Sequence, residues 1–158
     1  MGDSPAGTIG ADKFLVIPME WLKDSFEVQT HGKGMLPITE MVESYIQDWN
    51  VREGMCFLYI PHASASLTIS ESYDPSSRQD VEAFYEQAVP ENQPWYRHTL
   101  EGPDDSPSHI RATLTQPSLS IPVDNGRLSM GIWQGIFLFE HRARAQRRQI
   151  EIRCLKID

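Results

Sequence analysis

The sequence predicts an α+β domain, a largely antiparallel β-sheet or sandwich carrying two to three helices. Three observations point there. Apolar residues recur at helical spacing between Ile38 and Trp49. Two acceptor-proline pairs, Asp74-Pro75 and Ser106-Pro107, mark further helix starts. The last forty residues alternate apolar and polar side chains around tight turns, the pattern of hairpins rather than of parallel strand–helix units.

Taken in order, Met1 to Asp12 is small, polar and glycine-rich and is expected to be a disordered leader. Residues 13–158 form one domain, long enough to bury a proper core. Phe14–Ile17 and Phe26–Val28 are expected strands, and Thr30-His31-Gly32-Lys33-Gly34 a turn. In the first helix, Ile38, Met41, Val42, Tyr45, Ile46 and Trp49 fall on one stripe. The unbroken run Met55–Ile60 predicts a strand covered on both faces. Ser64–Ser70 alternates, with Ala65, Leu67 and Ile69 inward. The helix after Asp74 should bury Val81, Phe84, Tyr85 and Ala88, and the one capped by Ser106 runs towards Leu114. Leu119, Ile121 and Val123 alternate up to the hairpin signal Asp124-Asn125-Gly126. Leu128–Phe139 is expected as one long strand with Trp133-Gln134 in the core, Arg142–Arg147 as a hairpin tip and Gln149–Ile157 as the closing strand.

Composition narrows the partners. A net charge of −8 disfavours a nucleic-acid or anionic-membrane surface. No apolar run is long enough to span a bilayer, and the first residues lack the layout of a secretory signal. Cys56 and Cys154 both lie in apolar segments and are expected to be buried free thiols, so a cytoplasmic location is the expectation.

The chemistry centres on histidines at the ends of apolar segments: His62, His98 and His109. Imidazole is the usual ligand of zinc and the side chain that titrates nearest neutrality. If the rings converge, they form a metal or acid/base site, with Glu101, Asp104 and Asp105 close by in sequence. The spacings match no standard zinc motif. With Ser106 as cap, His109 would be the third helical residue, where the helix dipole favours a neutral ring. Glu71, unlike the capping Asp74, has no structural explanation and is a candidate site acid. Ser64 and Ser66 beside His62, and one of the clustered arginines Arg142, Arg144, Arg147 and Arg148, are candidates for contacting an anionic substrate. His31 and His141 stand outside this set. Phosphate-loop, dinucleotide, C-x-x-C and serine-triad signatures are absent.

The segments HASASLTISESYDP, HTLEGPDDSPSHI and SLSIPVDNGRLSMGIWQGIFLFEHR and the closing RRQIEI strand resemble, in order, the YjbQ-like family, from about Phe26 to Ile157. Its members are described as secondary thiamine-phosphate synthases. The resemblance implies a compact α+β homotrimer. It also implies a site on His62, Glu71, His98, Asp104 and His109, with Arg147 nearby. The implied activity joins an aminopyrimidine diphosphate to a thiazole phosphate, with release of pyrophosphate. In these terms His62, His98 and His109 are the expected ligands of a divalent metal, zinc or another transition metal, with magnesium the other candidate. Glu71, His98 and Asp104 are the expected catalytic groups, and Ser64, Ser66 and Arg147 contact a small phosphorylated substrate. The alternatives are a metal-dependent hydrolase of a phosphorylated small molecule and a non-catalytic trimer that binds a metal or metabolite. The chain departs from the family pattern in places: Ala63 and Ile132 replace threonines, Ser70 an asparagine, and the loop from Ala143 to Ala145 lacks the glycines of some relatives.

Overall fold

A computed structural model describes residues 17–158. The element order is β1 (Glu20–Gln29), β2 (Gly34–Pro37), α1 (Thr39–Asp48), β3 (Gly54–Tyr59), β4 (Ala65–Glu71), α2 (Pro75–Ala88), α3 (Asp105–Leu114), β5 (Ser118–Asp124), β6 (Arg127–Leu128), β7 (Gln134–Glu140) and β8 (Arg147–Lys156). The strands form a five-stranded sheet, β1-β8-β3-β5-β6, and a three-stranded sheet, β2-β7-β4. Every strand pair is antiparallel. The α+β class with a largely antiparallel sheet is thus observed. The strand expected at Phe14–Ile17 falls almost wholly outside the described residues, and Ile17 belongs to no strand. The expected leader lies outside them as well.

One apolar core joins the inner faces of the two sheets. Phe26, Cys56, Leu58, Ile121, Val123, Ile150 and Ile152 come from the larger sheet, Leu67, Ile136 and Leu138 from the smaller, and Ile38, Val42 and Ile46 from in and around α1. Because strand side chains alternate, one periodic face suffices to build each layer. β5 shows this plainly, burying Leu119, Ile121 and Val123 and exposing the residues between them. The turn into β6 carries Asn125 at φ 53° and Gly126 at φ 80°, the left-handed pair a two-residue hairpin turn requires. At Gly54, in β3, a Cβ would lie 2.1 Å from the Leu155 carbonyl oxygen, so only glycine lets β3 and β8 approach there.

Several expectations are corrected. The strand buried on both faces is β7, not β3: Ile136 and Leu138 face the main core, while Phe137 and Phe139 form a second cluster with Met35, against which Val81 and Tyr85 of α2 pack. β3 buries only Cys56 and Leu58, and Tyr59 is exposed. Leu128–Phe139 is not one strand: a turn at Gly131 separates β6 from β7 and leaves Trp133 exposed against Tyr73. The α2 stripe is not buried; none of its residues is, and Phe84 is 62% exposed. β7 and β8 do not pair as a hairpin. They belong to different sheets, so residues 141–146 are a crossover between layers rather than a hairpin, with 143–145 exposed.

Cys56 and Cys154 face each other across β3 and β8, both free and fully buried. Burial pushes the two thiols up to about 12 and about 11, which leaves them without thiolate character at neutral pH.

Candidate functional site

The site is organised by the start of α3. The helix begins at Asp105 rather than after Ser106, with Asp104 in the capping position. Asp105 and His109 therefore stand one helical turn apart on one face, and His109 is the fifth helical residue instead of the third. His109 Nε2 lies 3.3 Å from Asp105 Oδ1, and His98 Nε2 lies 2.8 Å from Asp105 Oδ2. The two imidazole rings sit with centroids 5.4 Å apart. One ligand atom from each of His98, Asp105 and His109 falls within 4.8 Å of the others.

The hydrogen bonding of this group is informative. His109 Nδ1 is 2.9 Å from the Ala63 carbonyl oxygen. A carbonyl only accepts, so Nδ1 donates, and Nε2 is turned towards a carboxylate oxygen. Two acceptors 3.3 Å apart repel unless a proton or a metal cation sits between them. Asp105 Oδ2 is buried and has no hydrogen-bond partner among the described residues; His98 Nε2 is close to it but not aligned to donate. Donor atoms about 3.3 Å apart are what a tetrahedral zinc site with bonds of about 2.0–2.1 Å demands. A carbonyl holding the far nitrogen of a ligand imidazole is likewise the usual outer support of such a site.

Arg142, from the crossover, fixes the carboxylates. Its Nη1 bonds Asp105 Oδ1, its Nε reaches Asp104 Oδ2 at 3.0 Å, and its Nη2 reaches the Glu101 carbonyl at 2.9 Å. Asp104 Oδ2 also accepts from the Ala143 N–H at 2.8 Å. Burial works to raise the Asp104 pKa, but the Ala143 N–H and the Arg142 guanidinium outweigh it and hold the carboxyl below its usual range. Asp104 thus ties the crossover to α3, and its side chain makes no capping bond to the helix.

The other expected residues lie apart from this cluster. His62 is not brought to it: its Nε2 accepts from the Gln149 N–H at 3.0 Å, so its lone pair is already in use. Burial, then the nearby Arg148, lowers its pKa. Glu71 accepts from the N–H groups of Tyr73 and Asp74 at 2.9–3.1 Å, which gives it the turn-capping explanation the sequence lacked. Ser64 Oγ accepts from Arg148 Nη2 at 2.9 Å. Ser66 is fully buried between His141 Nε2 at 2.8 Å and Thr115 Oγ1 at 2.5 Å, with no path to a substrate. Arg147 is exposed and lies 3.8 Å from Glu27.

Sequence reasoning placed too little weight on Asp105, Arg142, Arg148, Glu140 and His141. The Asp105–His109 spacing of four was the available signal, hidden because the Ser106-Pro107 pair places the helix start two residues late. Glu140 is fully buried and accepts two bonds from Arg148 at 2.8 and 2.6 Å, one from Thr30 at 2.9 Å and one from the Arg142 N–H at 2.9 Å. His141, also buried, is pushed down to about 3 by desolvation and then by Arg111 and Arg148. Unfolded, it would titrate near 6.5. Between these values the unfolded chain binds more protons, so the contribution of His141 is complete above about pH 6.5 and lost as pH falls towards about 3. The expected result is an acid limb of stability falling by up to about 1.4 kcal/mol per pH unit from this one group, flattened in His141→Gln. Unfolding midpoints in urea from about pH 7 to about pH 4 check it, and parallel profiles for the two proteins would refute it.

A cavity of about 350 Å³ opens beside His98, lined by Asn92, Gln93, Tyr96, Thr99, Gly102, Pro103 and Ser106. Apart from His98, that lining contains no Asp, Glu, Lys or Arg. Fold and site together define a two-sheet α+β protein with an imidazole–carboxylate cluster at the start of a helix. The comparisons agree on the family. The model of the UPF0047 protein YjbQ-like family matches residues 24–156. The UPF0047 protein sll1880 of Synechocystis is 43% identical over 123 residues, covering 78% of this chain and 84% of that protein. The UPF0047 protein YjbQ of Escherichia coli O157:H7 is 38% identical over 131 residues, covering 82% and 94%. Among solved structures, a conserved hypothetical protein of Thermus thermophilus superposes with a TM-score of 0.74 at 32% identity, covering 82% of this chain and 97% of that one. A YbjQ-like protein of unknown function from Sulfolobus solfataricus shares the fold with a TM-score of 0.80 at 24% identity, covering 88% and 99%. The chain belongs to the UPF0047, YjbQ-like family.

Proposed function

We propose that the chain is a metal-dependent enzyme acting on a phosphorylated small molecule, with His98, His109 and Asp105 as the metal ligands. One observation carries this reading: with its Nδ1 committed to Ala63, His109 turns Nε2 towards Asp105, whose second oxygen has no hydrogen-bond partner among the described residues. Asp105 takes the place the sequence had given to His62. Two imidazoles and one carboxylate suit zinc or a similar transition metal better than magnesium, which prefers oxygen ligands and water. Bound there, such an ion would supply Lewis-acid stabilisation of charge on a phosphoryl oxygen or ionise a water. Arg142 holds the Asp105 carboxylate in place, and the cavity beside His98 gives room for the uncharged part of a substrate.

The reaction to assay first is the one the family resemblance implies, thiamine phosphate formation from the aminopyrimidine diphosphate and the thiazole phosphate. The donor set favours a second reading, metal-dependent hydrolysis of a phosphate ester, because pyrophosphate chemistry ordinarily uses oxygen-held magnesium. Zinc-loaded protein should show one of the two activities, lost at least about 100-fold in His98→Ala and His109→Ala, since removing a metal ligand removes the Lewis acid. Turnover unchanged in both variants places catalysis elsewhere. Stoichiometric zinc without either turnover leaves the non-catalytic, metal-binding alternative. The resemblance also implies a homotrimer, and the open face of α2 around Phe84 agrees with a surface that another copy covers. Light scattering at the monomer mass would count against that assembly.

A further inference from the structure

The turn Thr30-His31-Gly32-Lys33-Gly34 is left unused by the cluster above, yet its residues from His31 onward line a cavity of about 450 Å³ with Met35, Arg78, Gln79 and Glu82. Gly32 and Gly34 hold φ values of +129° and +143°, which turn the backbone so that this short loop rims the cavity. The N–H groups of His31, Gly32 and Lys33 find no acceptor among the described residues. Consecutive free N–H groups around such a turn make an anion-binding concavity. The Arg78 guanidinium, one side of the same cavity, is also without an ion pair or hydrogen bond among the described residues.

The groove continues inward. A second cavity of about 180 Å³ shares Lys33, Gly34 and Glu82 with the first, and Glu86, Arg111 and Phe139 close it. Arg111 is 2% exposed; its Nη atoms are held by Glu86 and the Val89 carbonyl, but its Nε–H has no acceptor among the described residues. One buried N–H without an acceptor carries a desolvation cost, while the charge itself is paired by Glu86. Glu82 is the opposing charge: its Oε1 accepts from the Met35 N–H at 2.8 Å, and its Oε2 makes no bond among the described residues. Lys33 is neutralised by Glu91 and Glu86. Arg111 is two residues beyond His109, on the opposite face of α3, so this groove is separate from the His98–Asp105–His109 cluster.

We propose that this groove is a second ligand site, for a phosphorylated small molecule that also carries an amino or hydroxyl group. The phosphate sits on Arg78 and the N–H groups of residues 31–33, and the amino or hydroxyl group donates to Glu82. The size suits a phosphorylated metabolite. The site stands independently of the metal reading.

The test is an amide-resolved NMR titration of the full chain with inorganic phosphate, ribose 5-phosphate and ethanolamine phosphate. Chloride at equal ionic strength is the control. Phosphate should shift the amides of His31, Gly32 and Lys33, and at least one of the two organic phosphates should bind about ten-fold or more tighter. Arg78→Ala should weaken all three ligands at least about ten-fold while leaving the spectrum folded. Glu82→Gln should strengthen inorganic phosphate and weaken the organic ligand. The Asp105→Asn variant should bind all of them as the wild type does. Shifts confined to His98 and His109, or equal affinity in Arg78→Ala, overturn the proposal; loss of zinc binding alone does not touch it.

Discussion

Replacing Asp105 with asparagine is expected to weaken zinc or cobalt(II) binding by at least about 100-fold, since loss even of an outer supporting group of a metal site costs about 10–100-fold. Asparagine keeps the shape of the side chain, so the effect isolates charge and ligand strength. The substitution leaves the two imidazoles in place but removes the anion they face, and it puts an amide against Arg142 where a carboxylate had been. Calorimetric titration with cobalt(II) measures it, with circular dichroism to confirm the fold. If a proton rather than a metal joins His109 to Asp105, wild type and variant bind cobalt(II) with the same weak affinity, and the metal reading fails.

The second large effect concerns stability. Glu140→Ala should destabilise the protein by about 3–5 kcal/mol, because Arg148 is only 5% exposed and would be left as an uncompensated buried charge. For a domain of this size that corresponds to a fall in Tm of roughly 6–20 °C. Thr30 and the Arg142 N–H lose their acceptor in the same step, so the crossover that supports Asp105 should loosen with it. The paired replacement Glu140→Leu with Arg148→Met should recover much of the loss, since an apolar pair avoids the desolvation cost of both charges. A Glu140→Ala midpoint within about 2 °C of wild type would show that water or a shifted side chain satisfies Arg148.

Much of the fold was legible because it is written in local patterns. The alternation in β5, the Asn125-Gly126 turn and the Asp74-Pro75 helix start each depend on neighbouring residues, and each is found where the sequence put it. What was hidden is non-local. Nothing in residues 134–156 alone says that β7 and β8 join different sheets, since the unbroken apolar run of β7 and the alternation of β8 are each compatible with either layer. That single fact turns two of the clustered arginines into braces, Arg142 on α3 and Arg148 on Glu140, while Arg144 and Arg147 stay exposed. The α3 start was set late for the same reason. Asp104 has no local hydrogen-bond signature as a cap, because its carboxylate is engaged by Arg142 and Ala143, nearly forty residues on. Of the three histidines singled out, the two nearest α3 converge, while His62 is occupied by a β8 amide that no spacing rule reveals.

Crystals grown with one equivalent of zinc and measured across its absorption edge test the central claim most directly. The structure predicts a single strong anomalous peak about 2.0–2.2 Å from His98 Nε2, His109 Nε2 and an Asp105 carboxylate oxygen. No peak there, or a peak at His31 or His62 with this cluster empty, would contradict it.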